Sequence, residues 1–278
     1  MIRLKRTRTA AGIHPDFTGD KLVEKLVALA DARLALGGAL EFTGALGDWG
    51  KTKSHLQLES ANKCAYCEAD TATVAYGDVE HFRPKSVYWW LALCVDNYVY
   101  SCQICNQKHK GDRFPIRGQA LAAPKLPRSI PKTAAARKRL AAAIAPDPFS
   151  AKESALRKAW DAEKADLPHP YLDDPESLFA WAAVETNMEV HLVPRTQGAS
   201  SRSRRAVEAV EKHLGLNRET LRRQRYVIYD QLKSFLLVWR QGDAQLKQVA
   251  EQQIRAMCDG RRQFAGMCRY FSQAAGFT

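Results

Sequence analysis

The sequence contains no uninterrupted run of about 18 apolar residues, the length that a membrane-spanning helix needs. Its basic N-terminal stretch, residues 1–12, is not followed by the apolar segment of a secretory signal peptide. The cysteines number seven, and an odd count does not suit a framework of disulfide bonds. We therefore expect a cytoplasmic protein that does not contact a membrane and has no disulfide framework.

The composition is that of a globular protein with a strong positive charge. Hydrophobic residues make up 46% of the 278 residues and charged residues 26%, which excludes a wholly disordered chain. Lys and Arg together number 42 against 30 Asp and Glu, for a formal net charge of +12. A surplus of this size favours polyanionic partners such as nucleic acid, although many basic proteins have no such partner.

Four of the cysteines form two Cys-x-x-Cys pairs, Cys64 with Cys67 and Cys102 with Cys105. Each pair places two thiolates on one side of a tight turn, and two facing pairs supply the tetrahedral sulfur ligands that Zn²⁺ prefers. Four sulfur ligands leave no coordination position open, so the spacing predicts a structural zinc site. An iron site with the same ligands stays possible on spacing alone, whereas a redox function would need only one pair.

The apolar patterns predict a mainly α-helical chain with a small α+β core. We divide it into an N-terminal helical segment (1–57), a cysteine-bearing core (58–116), an Ala/Pro/Lys-rich connector (117–168) and a C-terminal helical domain (169–278). Within these parts, residues 73–82 are predicted to form a β-hairpin, residues 97–101 a strand and residues 133–145 a basic helix. The connector is expected to be ordered only in places.

The C-terminal domain is predicted to begin with two amphipathic helices. The apolar face of the first includes Val207, Val210 and Leu214 and ends at Gly215, a typical residue after a helix C-terminus. Asn217 is predicted to cap the second helix. In the core, the aromatic run 88–90 is interpreted as hydrophobic support for a small unit, in preference to a platform that stacks on bases.

The residues between and after the cysteine pairs carry a further pattern. Glu80 and His81 lie in VEHFRPK, Asn97 in DNYVYS, and Asn106 directly follows the last cysteine of the second pair. This order resembles the HNH endonuclease family in its four-cysteine form. The resemblance implies a zinc-stapled ββα-metal motif embedded between helical regions. It also implies that the enzyme is a phosphodiester hydrolase acting most often on DNA.

The resemblance assigns a role to each of these residues. His81 would be the general base, Glu80 and Asn106 the ligands of a catalytic Mg²⁺ or Mn²⁺, and Asn97 a hydrogen-bonding residue that orients the loop of His81. His109 is a further candidate ligand of that metal. The predicted contacts to the nucleic-acid backbone are Arg83, Lys85, Lys108 and Lys110.

These residue types suit the chemistry that the resemblance implies. A neutral histidine takes the proton of an attacking water, and a divalent cation with oxygen ligands neutralises charge on the phosphate. Adjacent residues of a strand point to opposite faces, however. Glu80 and His81 can therefore act on one phosphate only if the strand bends or the phosphate lies across its end.

Two C-terminal stretches are similar to one particular group of HNH proteins. Residues 169–175 (HPYLDDP) and 204–225, with the sequence LGLN at 214–217, are similar to segments of PtuB-like and retron-associated HNH proteins. This implies an effector of Septu-like anti-phage defence acting with a PtuA-type ATPase. The alternatives are an HNH ribonuclease acting on tRNA, a zinc-stapled nucleic-acid-binding adaptor without catalysis, and a structural subunit of the ATPase complex.

Overall fold

The computed structural model describes residues 1–37, 40–71, 76–196, 198 and 201–277. Its helices are α1 Gly19–Leu36, α2 Lys53–Glu59, α3 Ala134–Ile144, α4 Glu153–Trp160, α5 Arg202–Leu214, α6 Glu219–Gln241, α7 Ala244–Cys258 and α8 Ala265–Ala274. Strands β1 Asp78–His81 and β2 Tyr98–Ser101 form one antiparallel sheet, and β3 Phe179–Val184 and β4 Glu189–Pro194 form another. The prediction of a mainly helical chain with a small sheet-containing part is confirmed. Across the described ranges, no helix combines the length and apolar character of a membrane span.

The β1–β2 sheet lies between two hydrophobic cores. The first core is built on α1, α2, α3, α4 and residues 88–95, and the second on α5–α8, β3, β4 and the paired cysteines. Successive residues of a strand point to opposite faces. Accordingly, Tyr98 and Tyr100 pack in the first core, whereas Val99 between them packs in the second. The sheet thus joins the two cores.

The N-terminal part is helical in two pieces, α1 and α2, with 3₁₀ turns at residues 44–46 and 48–52 between them. The predicted hairpin at 73–82 falls partly on residues 72–75, which lie outside the described residues. The strand that pairs with β1 is β2, with Glu80 opposite Val99 and His81 opposite Tyr98. The chain between these strands contains the buried aromatic run 88–90, so its interpretation as core is confirmed.

The segment 117–168 contributes to the first core. The basic helix predicted at 133–145 is confirmed as α3, and the Thr133 hydroxyl caps it by accepting a hydrogen bond from the amide of Ala136. Helix α4 follows and ends at the buried Trp160. Glu163, three residues later, has no exposed surface and binds Arg83, which follows β1 in the chain.

In the C-terminal part, the predicted end of α5 is confirmed. Gly215 has a φ of 60°, and its amide donates to the carbonyl of Glu211. The predicted cap of the next helix is wrong, because α6 begins after Arg218. The Asn217 side chain instead accepts a hydrogen bond from the Leu192 amide and donates one to the Leu192 carbonyl, both at 2.9 Å. It therefore holds β4, whose hairpin with β3 the sequence patterns do not predict.

Candidate functional site

The four paired cysteines come together in one cluster. Their sulfur atoms all lie within 4.8 Å of one another, and Cys67 Sγ is 4.0 Å from Cys102 Sγ. Zinc–sulfur bonds of about 2.3 Å in a tetrahedron place the sulfur atoms about 3.8 Å apart, so the cluster fits Zn²⁺. Within the described ranges, it is the one group of three or more His, Cys, Asp or Glu side chains with this proximity.

The surroundings of the cluster act differently on its four thiols: the pKa values of Cys67 and Cys102 are lowered and those of Cys64 and Cys105 are raised. The guanidinium Nη1 of Arg218 lies 3.8 Å from Cys105 Sγ, and the amide of Cys105 donates to Cys102 Sγ at 3.4 Å. Hydrogen bonds from the neighbouring thiols, together with the charge of Arg218, lower the pKa of Cys67 well below its usual value. Arg225 is buried nearby, and burial lowers its pKa to about 10 despite the attraction of Cys67. A metal bound by four thiolates carries a net negative charge that these two cations offset.

One face of β1 points toward the π-helical segment Ile104–Lys110. This face carries Asp78 and Glu80, as the period of a strand requires. The side-chain NH₂ of Asn106 donates to the Asp78 carboxylate at 3.2 Å, and the side-chain NH₂ of Gln107 donates to the same oxygen at 2.9 Å. Sequence reasoning missed Asp78, although its position two residues before Glu80 places it on the same face.

Glu80 is buried and paired with Lys110. The ammonium Nζ lies 2.5 Å from Glu80 Oε1 and donates to the carbonyl of His81 at 2.9 Å. Burial raises the pKa of Glu80, while the charge of Lys110 acts in the opposite direction. The Glu80 carboxylate thus already binds one cation, the Lys110 ammonium, while Asn106 presents its side-chain nitrogen to Asp78.

His81 points to the opposite face of β1, and only 6% of its surface is exposed. Its ring packs edge-on against Trp49 and Tyr98, with centroid distances of 4.7 and 5.1 Å. Nε2 lies 2.9 Å from the carbonyl oxygen of Ala92, and because a carbonyl only accepts, Nε2 carries the proton and Nδ1 the lone pair. Burial lowers the pKa of His81 to about 3, so its ring is neutral at pH 7.

Asn97 holds the backbone just after His81. Its side chain has no exposed surface, accepts from the Arg83 amide at 2.8 Å and donates to the Arg83 carbonyl at 2.9 Å. The backbone carbonyl of Asn97 also accepts from the amide of Phe82. The hydrogen bonding that the sequence predicts for Asn97 is therefore present, while its importance for catalysis stays a prediction.

The predicted basic residues divide into two kinds. Arg83 and Lys110 are buried and bound to Glu163 and Glu80, so in this arrangement their charges serve internal ion pairs. Lys108 is exposed and Lys85 half-buried. The Lys85 ammonium lies 5.2 Å from the centre of the Trp49 ring, so of the four only Lys108 is an exposed cation.

His109 lies on the side of the π-helical segment that meets the end of α5. A Cβ built on Gly215 would come 2.4 Å from His109 Nε2, so the ring packs directly on this glycine. The structure therefore places Nε2 of His109 against Gly215. The side chain that contacts the Glu80 carboxylate is that of Lys110, not that of His109.

The fold and the site together define a mainly helical protein with a four-cysteine metal cluster beside a two-stranded sheet. The chain is 38% identical over 81 residues to the Septu protein PtuB of Bacillus mycoides (strain KBAB4), covering 24% of this chain and 28% of that protein. It is 33% identical over 122 residues to the Septu protein PtuB of Bacillus thuringiensis, covering 42% of this chain and 41% of that protein. The chain thus spans at most about two fifths of the length of these curated relatives. No family model and no solved structure matches it.

Proposed function

We propose that the chain is a metal-dependent endonuclease of the HNH type, which hydrolyses phosphodiester bonds of nucleic acid, with DNA as the first substrate to test. The observation that carries the proposal is the arrangement on β1. Glu80 faces the segment that bears Asn106, and His81, neutral and in a fixed tautomer, lies on the opposite face at the last position of β1. The two can therefore serve one phosphate that lies across the end of the strand. The four-cysteine cluster holds Cys102 and Cys105 at the start of that segment.

In this proposal the residues of the chain have separate tasks. Glu80 and Asn106, with Asp78 beside them, would hold Mg²⁺ or Mn²⁺, which supplies positive charge next to the phosphate that is attacked. His81 would accept the proton of the attacking water at Nδ1, which is unprotonated at pH 7. Because burial lowers the pKa of the ring to about 3, this role requires that substrate binding open the surroundings of the ring and raise its basicity. Trp49 covers the His81 ring, so we expect bound substrate to move this side chain aside.

The second part of the proposal concerns the biological role. The two partial matches to Septu proteins PtuB, and the similar stretches at 169–175 and 204–225, support an effector of Septu-like anti-phage defence. By the same argument we propose a PtuA-type ATPase as its partner.

Cleavage assays test the enzymatic part. Zinc-loaded protein, alone and together with its PtuA-type ATPase, is incubated with supercoiled plasmid and Mg²⁺ or Mn²⁺, and in parallel with tRNA. We expect nicking by the parent and a loss of at least 100-fold in His81→Ala. The matched control is His191→Ala, a half-buried histidine on β4, which should cut as the parent does.

Other outcomes would change the proposal. Equal cutting by His81→Ala and the parent would refute the assignment of the base. Binding that weakens with salt but is never followed by cleavage would favour the non-catalytic adaptor. Cleavage of tRNA alone would favour the ribonuclease.

A further inference from the structure

A cavity of about 220 Å³ lies outside the proposed catalytic residues. It is bounded by the residues that follow β1, by the region around α4, by residues 167–173 and by the start of α5. Binding sites for drug-sized ligands usually measure about 300–1,000 Å³. The cavity therefore suits a small group, such as a phosphate, better than a complete nucleotide.

The walls of the cavity are strongly basic. Among the described residues, its lining includes two acidic side chains, Asp161 and Asp173, and five cationic ones: Arg83, Arg157, Lys164, Arg202 and Arg205. Arg83 and Arg205 also pair with Glu163 and Asp166, and the other three cations leave the excess of positive charge. His169 also lines it and is neutral, since burial and the nearby Arg83 and Arg6 lower its pKa well below the usual value, against the opposing effect of the Asp96 carbonyl. An excess of positive charge in a partly enclosed space favours an anion.

Arg83 offers this cavity a buried donor that is fixed in place. Its guanidinium binds Glu163 Oε2 through Nε at 2.7 Å and Nη2 at 2.6 Å, and its Cζ lies 4.1 Å from the centre of the Trp160 ring. Only 3% of Arg83 is exposed. Its Nη1 is buried and has no hydrogen-bond partner among the described residues.

His169 supplies a second such donor. Its Nδ1 accepts a hydrogen bond from the Tyr171 amide at 3.2 Å, so the proton of the neutral ring is on Nε2. This Nε2 is buried and faces the backbone carbonyl of Asp96 without making a hydrogen bond of regular geometry. Buried polar groups are normally satisfied, so the unpartnered Nη1 of Arg83 and the weakly bonded Nε2 of His169, on two residues that line one cavity, leave capacity for a further acceptor.

We propose that this cavity binds a phosphate group, with Arg83 Nη1 and His169 Nε2 as buried donors and the surrounding arginines and lysine as counter-charges. The group is either free phosphate, including that of a mononucleotide, or the terminal phosphate of a nucleic-acid strand. The Arg83 backbone is held by Asn97 just after His81, so a phosphate here contacts the same stretch of chain as the proposed base.

Isothermal titration calorimetry tests the proposal on zinc-loaded full-length protein without added Mg²⁺ or Mn²⁺, so that cleavage plays no part. The titrants are inorganic phosphate, adenosine monophosphate, and one short oligodeoxynucleotide with either a 5′-phosphate or a 5′-hydroxyl. We expect phosphate to bind at constant ionic strength. Preference for the 5′-phosphorylated strand would identify a strand end as the source, and equal binding of the two strands a free phosphate.

Two kinds of variant separate a specific site from general charge. In Arg157→Gln combined with Lys164→Gln, both changed side chains are exposed, so the fold should be retained while phosphate affinity falls at least fivefold. His169→Phe keeps a ring in place, removes Nε2 and should also weaken binding. The matched control is Lys158→Gln, which changes an exposed α4 lysine that does not line the cavity. Absence of phosphate binding by the parent, or equal loss in the control, would overturn the proposal whether or not the protein is a nuclease.

Discussion

The ammonium group of Lys110 lies 2.5 Å from the carboxylate of Glu80, and neither side chain is open to solvent. An ammonium thus occupies the oxygen-lined position next to the carboxylate that we propose as a metal ligand. The proposed metal and Lys110 would therefore compete for the same carboxylate.

The first prediction concerns this pair. Lys110→Met leaves the Glu80 carboxylate buried without its cation, and breaking such a pair costs about 3–5 kcal/mol. We expect a corresponding fall in the free energy of unfolding in urea at pH 7. Added Mn²⁺ should then raise the melting temperature of the variant more than that of the parent. Lys108→Met, at an exposed position of the same segment, is the control and should change little. A variant as stable as the parent would contradict the importance of the pair.

The second prediction concerns the cysteine cluster. The purified protein should contain one zinc per chain, measured by mass spectrometry of the metal. Cys67→Ser should lose the zinc and melt about 10 °C lower or more, because a structural zinc stabilises the folded state. Cys258→Ser is the control, since that half-buried cysteine bonds to Ser272 away from the cluster. Zinc retained by Cys67→Ser would show that the cluster is not the metal site.

The third prediction concerns Arg218, whose guanidinium contacts Cys105 Sγ. Removing a group that supports a metal ligand from outside typically lowers metal affinity about 10–100-fold. Arg218→Gln should therefore release zinc to a competing chelator at about tenfold lower chelator concentration than the parent. Arg223→Gln removes an exposed arginine paired with Glu219 on the same helix and should leave the affinity unchanged. Similar release from both variants would mean that the contact to sulfur has no effect.

The fourth prediction is a pH dependence that involves His169. Burial, followed by Arg83 and Arg6, lowers the pKa of this histidine in the folded protein, whereas the unfolded chain binds the proton near pH 6.5. The contribution of neutral His169 is thus fully present above pH 6.5 and is lost as the pH falls below it. The loss is at most about 1.4 kcal/mol per pH unit. In His169→Gln, the free energy of unfolding measured in urea should therefore fall less between pH 7 and 5 than it does in the parent. Parallel curves for the parent and the variant would contradict this.

Features set by neighbouring residues were predictable from the sequence. The two Cys-x-x-Cys spacings predict the cysteine cluster, and α3 follows from a basic stretch bounded by prolines with Thr133 at its start. The opposite orientations of Glu80 and His81 follow from the period of a strand alone. The Cys-x-x-Cys turns, α3 and the orientations along β1 are local properties, whereas the approach of Cys67 to Cys102 is a contact between residues 35 positions apart.

Features set by distant residues were not predictable in this way. From its sequence context, Arg83 is predicted to be a surface cation beside the proposed active site. In the structure it binds Glu163, 80 positions later in the chain. Arg218 reads as part of a basic helical face, but it contacts Cys105. Asn is a residue type that often caps helices, but the side chain of Asn217 makes its hydrogen bonds to the backbone of Leu192. Nothing near these residues in the sequence encodes their partners.

The alternation of side chains along β2 has a consequence for how the molecule can be divided. Tyr98 and Tyr100 belong to one hydrophobic core and Val99 to the other, so neither half retains a complete interior without this strand. We expect the protein to denature in a single cooperative transition. Truncation at either end should yield aggregating fragments that lack an independent folded unit, and β1, which pairs with β2, would lose its shape together with both halves.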